Sequence, residues 1–257
     1  MISAPRTILR RAWPRALAVA LASAGLGLAL SQAGSAPLAA GGGVDYYSGP
    51  AGQVTKSALA IGAVSFAATG SATLAALRYD DNQIGRGTGM IGGLGIPVAP
   101  SGTFQVWGYR YVGDEAFRAW RLKAGPAVTL PRGATLGLYY LHFEDNAGGK
   151  SNGAIAELGA PVTAGLTARV SAARAATAAG PASTQGALGL TWAGVRHLEL
   201  SGEAGLAENG ALSTAPIPSR RGLELPLLGG GSKPGSSTRL DTTIDPTLLI
   251  SVRLLFP

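Results

Sequence analysis

Cysteine is absent from all 257 residues, and histidine occurs only at His142 and His197. No disulfide, thiolate nucleophile, zinc–cysteine centre or cysteine-linked lipid can form, and a His-rich metal site is excluded. Aromatic residues make up 6% of the chain and charged residues 14%. The formal charge of +7 is concentrated at one end: Arg6, Arg10, Arg11 and Arg15 lie in the first 40 residues, which hold no acid, so the remainder carries only +3. No clustered basic run follows them, so nucleic acid is not an expected partner. The uncharged apolar run from Ala16 to Leu30 stops at 15 residues, short of the ~20 that a membrane-spanning helix needs.

That run, with its basic flank and a small-residue stretch ending at Ala40, has the layout of a secretory signal peptide. A cut after Ala36 would leave Pro37 in the first mature position, which signal peptidases disfavour, so cleavage is expected after Ala40. Arg10-Arg11 is followed by Ala12-Trp13-Pro14, which departs from a twin-arginine signal. The expected organisation is a signal peptide over 1–40 and one domain over 41–257.

Alternation with a period of two runs along that domain. Residues 119–130 set Trp120, Leu122, Ala124, Val128 and Leu130 against Arg121, Lys123 and Thr129. Residues 166–172 set Leu166, Ala168, Val170 and Ala172 against Thr167, Arg169 and Ser171. In 197–206, Leu198, Leu200, Ala204 and Leu206 oppose His197, Glu199, Ser201 and Glu203. Such segments are strands with one apolar and one polar face. Turn-like breaks recur near 68–71, 99–102, 131–134, 162–165 and 193–196, alternating with polar segments at 80–87, 112–115, 144–152, 175–184 and 207–245. The rhythm predicts strands over 54–66, 71–79, 88–97, 102–111, 117–130, 135–143, 153–160, 166–174, 185–192, 197–206 and 247–256.

The last of these ends Leu248, Ile250, Val252, Leu254 and Phe256 on one face, with Pro257 following. It resembles the terminal strand of bacterial outer-membrane proteins, which commonly end in Phe. With the export signal and the hairpin rhythm, the chain resembles the porin-like class of outer-membrane β-barrels. The resemblance implies an all-β antiparallel transmembrane barrel of about twelve strands in the outer membrane of a diderm bacterium, in contact with outer-membrane lipids and delivered by the barrel-assembly machinery. Ten strands, or a soluble β-sandwich using the apolar face as its core, are the alternatives. An even count requires a twelfth strand, either Val44–Ser48 or Gly222–Leu228.

In a barrel the polar faces point inward. Arg121, Lys123, Arg169, Glu157, Glu199, Glu203 and Arg253 are therefore the candidate pore-lining residues. Pairing Ala160 with Leu166 places Glu157 opposite Arg169. Pairing Leu130 with Thr135 places Arg121 opposite Glu144 and Lys123 opposite His142. Tyr79, Trp107, Tyr109, Tyr111, Trp120, Tyr139, Tyr140 and Trp192 fall near strand ends, where rings anchor at headgroups, although packing serves Trp107 and Tyr109 nearly as well.

Catalytic and metal signals are sparse. His142-Phe143-Glu144 followed by Ser151-Asn152 distantly resembles the His, Ser and Asn set of outer-membrane phospholipases, but Glu144 stands where that family has its serine, so no oriented nucleophile is evident. His197 reads as a solvated edge residue. Asp80-Asp81-Asn82 lacks the spacing of a calcium loop, and Gly41–Gly43 and Gly229–Gly231 read as flexible connectors. Neither a metal nor a cofactor is expected, and the expected function is non-enzymatic: a porin-like channel for small solutes. A closed structural or adhesive barrel is the alternative, and a lipid-modifying enzyme a third.

Overall fold

The computed structural model describes residues 38–49, 52–66, 70–82, 85–113, 117–146, 149–177, 182–208, 216–217, 225–226 and 244–256. Its strands are β1 (Leu38–Ser48), β2 (Val54–Phe66), β3 (Gly70–Asp81), β4 (Gly85–Ala99), β5 (Gly102–Gly113), β6 (Arg118–Thr129), β7 (Thr135–Asp145), β8 (Lys150–Thr163), β9 (Leu166–Thr177), β10 (Ser183–Val195), β11 (Leu198–Glu208), β12 (Pro216–Ile217), β13 (Leu225–Pro226) and β14 (Ile244–Phe256). Twelve of them, all but β12 and β13, close into one antiparallel barrel in which each strand pairs with its chain neighbour and β1 pairs with β14. Closure leaves no sheet edge, the condition for a sheet to sit in lipid.

The twelfth strand is β1. Gly222–Leu228 contributes to the described structure only Leu225–Pro226, in a separate two-residue ladder with Pro216–Ile217. Gly41–Gly43, expected as a connector, instead lies inside β1 and is paired on both sides, with Ile61–Leu59 and with Leu255–Arg253. Backbone hydrogen bonds supply that ladder, and the bare Cα atoms admit side chains from β14. Leu38–Ala40 extend the pairing with β2 across the expected cleavage point, and residues 1–37 lie outside those described.

Leu38, Phe256 and the shortest turns, such as 100–101, 164–165 and 196–197, share one end of the barrel. At the other end the loops are tighter than the sequence implied: the 80–87 and 144–152 segments shrink to 82–84 and 146–149. Charged pairs carry the ladder into them, with Arg86 Nε 3.0 Å from Asp80 and Lys150 Nζ 3.9 Å from Glu144. Asparagines then tie neighbouring hairpins. Asn82 accepts from Val54 N at 2.8 Å and donates to Gly52 O at 2.9 Å, and Asn146 accepts from Arg118 N at 2.8 Å. The polar segment 207–245 falls almost wholly on residues outside those described.

Odd-numbered residues face the lumen from β1 to β14, because the registers pair odd with odd on nearly every rung. The exposed outer face carries Leu74, Met90, Leu94, Leu138, Val170, Leu188, Leu200, Ile250 and Leu254. Such an apolar belt is the surface that lipid solvates.

Candidate pore-lining site

The inner wall has two halves. On β2 to β5 it is apolar and aromatic, with Leu59, Ile61, Leu77, Tyr79, Ile91, Trp107, Tyr109 and Tyr111 packed together. Four of the expected headgroup aromatics thus sit in the lumen, as does Tyr139, whereas Trp120, Tyr140 and Trp192 lie outside. Parity decides this, since the first five are odd-numbered and the last three even. Glycine on β4 makes the room: a Cβ on Gly93 would lie 2.3 Å from Trp107 Cζ3.

The other half is ionic. Arg121, Lys123, Arg169, Glu157, Glu199, Glu203 and Arg253 all face inward and are buried. Glu157 is its centre: Lys123 Nζ donates to both carboxylate oxygens at 3.0 and 3.1 Å, and Arg169 Nη2 lies 2.9 Å from Oε1. Glu157 is opposite Ser171, not Arg169, which pairs with Gly159. A two-residue turn at Ala164–Gly165 shifts the expected register by two, leaving Glu157 and Arg169 diagonal neighbours that long side chains still join.

The second expected register fails by one residue. The Pro131–Gly133 turn spans enough chain that Thr129 pairs with Thr135, which sets Arg121 opposite Phe143 and Lys123 opposite Leu141. A slip of one exchanges the faces. Glu144 and His142 therefore lie outside, where the His142 ring is 4.5 Å from Trp120 and its Nδ1 is 2.7 Å from Asn152 Oδ1. Ser151 faces the lumen across from Phe143, so serine and histidine stand on opposite sides of the sheet.

Lys123 joins the two halves. Its Nζ sits 3.9 Å over the Tyr139 ring, Tyr139 donates to Gln105 at 3.3 Å, and Trp107 donates to the same oxygen at 3.5 Å. Neither Gln105 nor Tyr139 was among the expected lining residues. The parity of β5 and β7 would have found both.

Arg253 is fully buried on β14, opposite Glu199 on β11 and Gly43 on β1. Its Nη2 lies 3.6 Å from Asp45 Oδ1, and none of its three guanidinium nitrogens has a hydrogen-bond partner among the described residues. The same holds for Ser201 Oγ, Ser251 Oγ and Tyr111 OH. Asp45, a second inward residue that alternation had not singled out, accepts from Ser57 at 3.3 Å.

Asp80 points outward to Arg86, Asp81 inward to Gln53 and Thr55, and Asn82 to the neighbouring loop, so the three never converge. His197 is not a solvated edge residue. It holds a positive φ of 67°, accepts the Leu255 N–H on its carbonyl at 2.8 Å, and packs its ring 5.0 Å from Phe256.

No family profile matches the sequence, and no curated protein matches it. Solved structures do match. The KdgM porin in complex with disordered oligogalacturonate superposes with a TM-score of 0.55 at 9% identity, covering 84% of this chain and 99% of that one. The NanC porin gives 0.53 at 8% identity, covering 85% and 99%. The chain has the closed twelve-stranded fold of outer-membrane porin barrels.

Proposed function

We propose that the protein is a porin-like channel of the bacterial outer membrane, passing small solutes between the aromatic and ionic walls of its lumen. One observation carries the reading: seven charged side chains on β6, β8, β9, β11 and β14 face inward in a closed barrel whose outer face is apolar. Leaving a guanidinium dry costs several kcal/mol, and buried polar groups otherwise find protein or water partners. A polar wall of this kind suits a water-filled lumen, whereas a barrel closed throughout like the β2 to β5 wall would be lined with apolar and aromatic side chains. Membrane location draws support from the closed sheet and its apolar belt. The non-enzymatic reading draws support from the placement of Ser151 and His142 on opposite faces.

The signal peptide is removed after Ala40, and the barrel-assembly machinery inserts the mature chain among outer-membrane lipids. A β1 beginning at Gly41 still pairs with Ile61 and Leu255. N-terminal sequencing of the mature protein should begin at Gly41; a retained Met1 rejects cleavage. Proteoliposome swelling tests the channel. Folded protein should admit small neutral sugars with a sharp size limit, and liposomes that never swell with folded protein present reject the reading.

A further inference from the structure

The outer wall carries positive charge that the linear sequence disperses. Lys56 on β2, Arg78 on β3, Arg110 on β5 and Arg118 on β6 all face outward and are exposed. The registers align Arg78 with Thr88, Thr88 with Val112, and Val112 with Arg118, so one row across the sheet runs from Arg78 to Arg118. At ~4.8 Å between strands that row is roughly 15 Å long. Lys56 and Arg110 flank it, each two residues from a member of the row or its pairing partner. The sequence shows no such patch because its members are spread from position 56 to position 118, and only hairpin stacking assembles them.

These four cations have no carboxylate partner among the described residues, whereas the neighbouring anions are engaged: Asp80 by Arg86 at 3.0 Å, and Glu144 by Lys150 at 3.9 Å and His142 at 3.6 Å. The row lies at the end of the barrel opposite Leu38, Phe256 and the shortest turns, the end that faces outward in bacterial barrels. Below it the surface becomes apolar, with Leu74, Met90 and Trp120 exposed. A groove of about 450 Å³ lies between Arg110, Arg118, Trp120, Glu144 and Asp145, and Asp145 is engaged by the Gly149 N–H at 2.8 Å. It lies at the join of an apolar belt and a polar rim, the position on a barrel wall that lipid headgroups meet.

We propose that this row binds phosphate-bearing lipid headgroups of the external leaflet, with phosphate held between Arg110 and Arg118 and acyl chains lying against Trp120 and Met90. Guanidinium forks match phosphate oxygens bidentately, and the low-dielectric boundary strengthens the pairing. The proposal rests on the reading of the chain as a membrane barrel.

The test uses folded mature protein in phosphatidylcholine vesicles doped with a bis-phosphorylated lipid A or with its dephosphorylated form, followed by detergent extraction and measurement of lipid retained per protein. Wild type should retain the phosphorylated lipid preferentially. The R78Q/R110Q/R118Q variant should retain it at least about tenfold less well, while R86Q, whose guanidinium is already paired, should change little. Inorganic phosphate in millimolar excess should not displace the lipid; displacement would assign the row to free anions and overturn the lipid proposal. Equal retention of both lipids, or by the triple variant once heat-modifiable gel migration shows it folded, also overturns it. Failure of the wild type to insert at all would instead overturn the membrane reading.

Discussion

Arg253 of β14 lies in the space that Gly43 of β1 leaves open directly across the ladder, where a Cβ would stand 2.8 Å from Arg253 Cγ and 2.5 Å from Val252 O. This contact sits on the rung that closes the barrel, and it explains why a glycine run forms a strand. Gly43→Val should lower the assembled fraction, with an overpacking cost of about 1–3 kcal/mol. Gly92→Val, at an outward position where a Cβ meets nothing within 4 Å, should assemble normally. Heat-modifiable gel migration reads both, and equal behaviour would deny the close approach.

Glu157 holds two buried cations at once. Glu157→Gln leaves Lys123 and Arg169 without that charge, and breaking such a buried arrangement costs about 3–5 kcal/mol. Urea unfolding in lipid vesicles should show the loss. Lys123→Met in the Glu157→Gln background should recover part of it, because one uncompensated charge is removed.

Gly93 and Trp107 should be energetically coupled. Gly93→Val is expected to be strongly destabilising in the wild type and much milder with Trp107→Ala, since the ring that its Cβ would strike is then absent. A double-mutant cycle should give a coupling of about 1 kcal/mol or more; strict additivity would place the ring elsewhere.

Leu200 faces lipid and Ser201 faces the lumen. Leu200→Arg should cost roughly 2–4 kcal/mol if it lies near the bilayer midplane, whereas Ser201→Asn should be tolerated among polar neighbours. Assembly yield in vesicles measures the difference, and a reversed order would mean the faces are exchanged.

Much of this was legible without coordinates because period-two alternation and turn chemistry are local. All eleven expected strands exist, β2 at its expected bounds, and the seven charged lining residues all face inward. Pairing was less accessible. The Pro131–Gly133 turn moved Lys123 from His142 to Leu141, and the Ala164–Gly165 turn moved Glu157 from Arg169 to Ser171. Register depends on turn geometry that composition does not encode. The aromatic wall was hidden for another reason: Tyr79, Trp107 and Tyr111 fill space opened by glycines on the neighbouring strand, a relation that exists only across the ladder. The external basic row, drawn from four strands, was invisible in the same way.

Ion conductance through the purified, folded protein in planar bilayers tests the hydrated, charge-lined lumen most directly. Wild type should give discrete steps, and R121Q/K123Q should move the reversal potential toward cation selectivity, because fixed positive charge is removed and Glu157 loses its lysine partner. Folded protein that gives no steps, or steps whose selectivity ignores both substitutions, would contradict a solute path along this wall.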